Sequence, residues 1–68
     1  PAPWPSDAIG QITVLRSMAS MSPVSIEEAV QRLVGARRDI VQRQLETLAM
    51  LGEVLDVGGG RYAVAAGL

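Results

Sequence analysis

The longest ordered run of apolar and polar positions lies between Gly35 and Gly52, GARRDIVQRQLETLAMLG. Val41, Leu45, Leu48 and Leu51 recur at spacings of four, three and three, which gathers them on one face of a helix. The pattern predicts a helix from about Arg37 to Leu51, opened after Gly35 and closed by Gly52. Arg38, Gln42, Arg43 and Glu46 then fall on its flanks and back.

Two shorter helical stretches precede it. Ile12, Leu15 and Ala19, with Ile9 on the same side, predict a helix over about 8–19. Ser6 or Asp7 can cap its first N–H groups, and Gly10 weakens its first turn. Ser20 to Pro23 ends the pattern, because proline cannot continue a helix. Ser25 and Glu28 then form a capping box, with Val24 and Ala29 placed as a hydrophobic staple. Glu27 and Glu28 also suit the positive end of the helix dipole. The second helix is expected to reach about Leu33, with Ile26, Ala29, Val30 and Leu33 inward. Val34-Gly35-Ala36 makes the turn into the long helix. A short helix, a glycine-containing turn and a longer helix fit the helix-turn-helix motif.

After Gly52 the period changes to that of strands. Glu53 to Val57 and Arg61 to Val64 flank Gly58-Gly59-Gly60, a turn that supplies the positive φ angles of a tight hairpin. Val54 or Leu55, Val57, Tyr62 and Val64 would cover the open end of the core, and Val24 would add a short strand. The expected fold is mainly α with a small β-hairpin, a winged helix-turn-helix of three helices and a two-stranded wing. Residues 1–6 form a linker or arm, 7–65 the domain and 66–68 a tail that frays from about Ala65. The arm holds three prolines among its first five residues and should be extended. Its Trp4 is either a peg in the core or a contact to the remainder of a longer chain.

Composition narrows the chemistry. Sixty-eight residues, 49% of them hydrophobic, support one small domain, and with no Phe its core must be aliphatic. Neither Cys nor His is present, which removes disulfides, Cys/His zinc sites and histidine acid–base catalysis. Gly58-Gly59-Gly60 lacks the G-x-x-x-x-G-K-[ST] pattern of a phosphate loop. No catalytic group, cofactor, metal or small-molecule substrate is therefore expected. No apolar run reaches the length of a membrane span and no basic region marks a signal peptide, so a cytoplasmic domain with no membrane partner is expected. The chain opens on PAPWP without an initiator Met, and the expectation is a domain excised from a longer protein.

Six arginines face seven carboxylates, for a net charge of −1, whereas a free-standing DNA-binding domain is usually basic. Three of the six arginines nevertheless fall between Arg37 and Arg43. In a helix-turn-helix the start of the third helix reaches base edges, and neighbouring polar groups hold phosphates. Arg37, Arg38, Gln42 and Arg43 are the candidate contacts to double-stranded DNA, with Arg61 in the wing. The same positions also read as a solvated helix surface, on which Asp39 and Glu46 would repel phosphate. Val34, Ile40 and Met50 support a third reading, a docking or dimerisation surface for the parent enzyme or another copy of the chain.

Gly35-Ala36-Arg37, Val41, Leu45-Glu46-Thr47-Leu48-Ala49, Leu51-Gly52 and Gly60-Arg61-Tyr62 carry a resemblance, joined by Trp4-Pro5 and Gln11. Together they resemble the C-terminal winged-helix tail of bacterial DNA adenine methyltransferases of the fused restriction–modification type. The winged-helix tail of the natural-transformation DNA-processing protein is similar in outline. The first resemblance implies a parent that methylates DNA using S-adenosylmethionine, with every catalytic residue outside this chain. It also implies that Arg37 faces DNA and that Arg61 lies in the wing. Val34, Asp39 and Ile40 stand where that family tends to carry basic residues, which should weaken phosphate binding.

Overall fold

The computed structural model describes residues 2–65. In chain order these form β1 (Ala2–Pro3), α1 (Ala8–Met21), β2 (Val24–Ser25), α2 (Ile26–Arg32), β3 (Leu33–Val34), α3 (Arg38–Met50), β4 (Val54–Asp56) and β5 (Arg61–Val64). The result is a small α-plus-β domain: three helices and a small antiparallel sheet in the order β2-β5-β4, with β1 and β3 paired separately.

Local chemistry sets the helix ends. The Asp7 carboxylate accepts the Gly10 N–H at 3.0 Å and opens α1, which runs one half-turn past its expected end. The capping box of α2 is complete. The Ser25 hydroxyl accepts from the Glu28 N–H at 3.1 Å, and the Glu28 carboxylate accepts from the Ser25 N–H at 3.0 Å. At the end of α3 the Gly52 N–H bonds to the Ala49 carbonyl and the Glu53 N–H to the Leu48 carbonyl. That is a Schellman closure, and it requires the left-handed φ of 76° that Gly52 adopts.

The core is aliphatic. Leu15 and Ala19 of α1, Val24, Ala29, Leu33, then Val41, Leu45 and Leu48 of α3, and Val54 are all buried. Val24 pairs with Tyr62, and Val54 with Val64, so these four residues share the sheet face turned to the helices.

Several residues expected inside are outside. Leu51 is 64% exposed. It lies about 120° round the helix from Leu45 and beyond the last turn of α3, and Val54 closes the core at that end. Ile9 is also exposed, standing about 120° from Leu15. Leu55 and Val57 are exposed because strand alternation gives the inner face to Val54. Ile26 and Val30 are only partly buried against the core.

The arm is integrated rather than solvated. Ala2 and Pro3 pair in parallel with Leu33 and Val34, and the Trp4 N–H donates to the Val34 carbonyl at 2.9 Å. Trp4 is half-buried against the core, as a peg. Gln11 donates to the Pro5 carbonyl at 3.0 Å and accepts from Gln44 at 2.9 Å, which links arm, α1 and α3 in one hydrogen-bonded chain. At the other end the Ala65 N–H donates to the Glu53 carbonyl, so the chain is still held at a position expected to fray. The remainder of the expected tail, residues 66–68, lies outside the described residues.

Candidate nucleic-acid interface

Burial of Val41, Leu45 and Leu48 sets the rotation of α3, and the rotation sets what it presents. Arg38, Asp39, Gln42, Arg43 and Glu46 are all exposed. Arg37 precedes them as the N-cap residue of α3 and makes no side-chain cap hydrogen bond. The first N–H groups of that helix therefore have no acceptor from the N-cap side chain.

Arg61 reaches the same region through the sheet. Pairing of β2 with β5 sets Ser25 opposite Arg61, and Ser25 is the N-cap of α2. The hairpin thus adjoins the start of α2, whose Glu27 meets the start of α3. Asp56 accepts the Gly58 N–H at 2.8 Å and tightens the hairpin turn. All three glycines of that turn have positive φ, as the sequence pattern requires.

The candidate cations are not free. Arg38 is ion-paired and hydrogen-bonded to Glu27. The Arg61 guanidinium lies 3.4 Å from the Glu28 carboxylate, and Arg37 lies 3.7 Å from Asp39. Gln42 donates to Glu46 at 3.1 Å. Among the described residues only Arg43 of the candidate contacts lacks such a partner. Four arginines and four carboxylates make up this surface, which is therefore charge-balanced.

Glu27 and Glu28 are the members that sequence reasoning missed, because helix capping accounts for both without reference to the arginines. Each carboxyl titrates below its ordinary range. For Glu27 the main cause is a hydrogen bond from its own backbone N–H, followed by the bond from Arg38. For Glu28 it is the Ser25 N–H, with the charge of Arg61 adding to it against a partial burial. Both acids are thus held ionised beside the cations. The available sequence signal was two consecutive carboxylates at the start of the helix that precedes the arginine-bearing one.

The apolar candidates do not form one patch. Val34 is 62% and Met50 88% exposed, but Ile40 is half-buried and lies about 15 Å along α3 from Met50. A separate groove of about 390 Å³ opens between the arm, α1 and the end of α2, lined by Ala2, Val14, Met18, Met21, Ser22, Arg32 and Leu33. None of the five candidate contacts lines it. Among the described residues no group of three or more carboxylates gathers as a metal site, and no helix is long and apolar enough to cross a membrane. No protein-family model, curated protein or solved structure matches the chain.

Proposed function

We propose that the chain is a winged helix-turn-helix module that binds double-stranded DNA through the start of α3 and the wing. The observation that carries this reading is the sheet order β2-β5-β4, in which the short strand before α2 pairs with the returning strand of the hairpin. That pairing sets Arg61 beside Glu28, the residue next to the Glu27 that holds Arg38. In such a module α3 enters the major groove, where Arg38, Gln42 and Arg43 meet bases or phosphates, and Arg61 meets the backbone. The uncapped N–H groups at Arg37–Arg38 suit a phosphate oxygen. The resemblance to methyltransferase tails supports an accessory role in a larger DNA-modifying protein.

NMR titration of the labelled chain with a short mixed-sequence duplex tests the reading. Shifts confined to 37–43 and Arg61 that shrink as salt rises are expected. A duplex that moves no resonance at low salt overturns DNA binding by the chain.

Charge balance on this face favours a second reading, docking on protein. Leu55 and Val57 are exposed on the hairpin, and Met50 and Leu51 at the end of α3. Sedimentation of the chain over a concentration series tests self-association through them; a monomer throughout removes the homodimer.

A further inference from the structure

Two consecutive residues of α2 hold two arginines that belong to different elements. Glu27 pairs with Arg38 at the start of α3, and Glu28 pairs with Arg61 at the start of β5. These are two of the cations of the proposed interface. Each acid also has a place at the start of α2 that does not depend on its arginine alone. Glu28 closes the capping box and is only 29% exposed in its side chain, and Glu27 stands beside it in the first turn of α2, where the positive end of the helix dipole favours a carboxylate. The Glu28 carboxylate therefore stays in place whether or not Arg61 remains on it, and Glu27 keeps its charge at the same helix end.

A carboxylate beside a guanidinium offers the same oxygen acceptors and the same sign of charge as a phosphate. We propose that Glu27 and Glu28 act as built-in phosphate mimics, occupying Arg38 and Arg61 in the free domain and setting a low affinity for duplex DNA. This rests on the winged-helix interface proposed above. Binding then requires each arginine to leave a carboxylate for a phosphate while the carboxylate stays close by and repels the incoming backbone. Arg43, without such a partner among the described residues, is left to make the first contact. The two glutamates are thus affinity-setting positions, and DNA binding by the module is weakened from within its own fold.

The test compares the wild-type chain with the doublet E27Q/E28Q in duplex titrations over a salt series. Glutamine keeps the capping box, since its amide oxygen still accepts the Ser25 N–H. A second doublet, D7N/E53Q, removes the same charge at carboxylates that pair with neither Arg38 nor Arg61, and asparagine keeps the α1 cap. Release of two guanidiniums should tighten binding about ten-fold at low salt and steepen the slope of log K against log salt by about 1.8. The control doublet should move neither as far.

Wild-type binding with an E27Q/E28Q doublet that is no tighter, or no tighter than the control, overturns the mimic and leaves the interface standing. Binding by neither protein overturns both. Binding by E27Q/E28Q alone supports the mimic, and the wild-type chain's own DNA binding falls.

Discussion

Replacing Gly10 with alanine should destabilise the domain, although helix propensity alone gives the opposite sign. In the first turn of an exposed helix alanine is favoured over glycine by about 1 kcal/mol. Here a Cβ at position 10 would stand 2.8 Å from the Pro5 Cβ and 2.8 Å from the Asp7 Oδ1, closer than Cβ atoms approach such neighbours. The Pro5 ring cannot swing aside, and its carbonyl is tied to Gln11. The Asp7 carboxylate is the cap of the same helix. Both contacts must be relieved, so the arm lifts and the cap breaks.

Loss of the cap costs about 1 kcal/mol. Loss of the Gln11–Pro5 hydrogen bond costs about 1 kcal/mol. Partial exposure of Trp4 as the arm lifts costs about 1 kcal/mol more. Set against the propensity gain, the net effect is a destabilisation of about 1–2 kcal/mol, since losses at neighbouring groups add incompletely. In a domain this small each kcal/mol moves the melting temperature by roughly 4–8 °C. Urea unfolding followed by circular dichroism and by Trp4 fluorescence measures both parts. A G10A chain more stable than wild type, with Trp4 emission unmoved, would refute the close-approach argument.

Leu45→Ala removes a fully buried side chain from the centre of α3 and should cost about 2–5 kcal/mol, enough to unfold much of the population, whereas Leu51→Ala should stay within about 0.5 kcal/mol. Equal urea midpoints for the two variants would show that Leu51 packs as Leu45 does. Ser25→Ala removes the hydroxyl half of the capping box and should cost about 1 kcal/mol in the same assay, with the α2 amides exchanging fastest. Glu27 and Glu28 both have carboxyls depressed below the ordinary value of 4.5, so in that range the unfolded chain binds more protons than the folded one. Their contribution to stability is therefore complete above pH 4.5 and lost as pH falls through their folded-state values. E27Q/E28Q should flatten that acid limb, and an unchanged limb would show that other carboxylates control it.

Much of the architecture was written in local pattern. The capping box at Ser25 and Glu28, the 4-3 spacing of Val41, Leu45 and Leu48, the closing Gly52 and the triple-glycine turn are all interactions within a few residues, so the chain determines them by itself. The short strand at Val24 and the peg role of Trp4 were legible as expectations and are present. Periodicity could not decide which member of an apolar set is left out. Ile9, Leu51, Leu55 and Val57 fit the helical or strand pattern as well as their buried neighbours, and only the packing of α1, α3 and the hairpin together turned them outward.

The site divides in the same way. The arginines of α3 and the hairpin were visible as residue types at suitable positions. Their pairing with Glu27 and Glu28 spans 11 residues in one case and two different elements in the other, so it exists only once α2 is packed on α3 and β2 has paired with β5. Sequence alone determined which charges the domain carries and which helix and hairpin bear them. Tertiary structure decided that they neutralise one another, because Coulomb interaction depends on distance in space, and only the packed fold sets that distance.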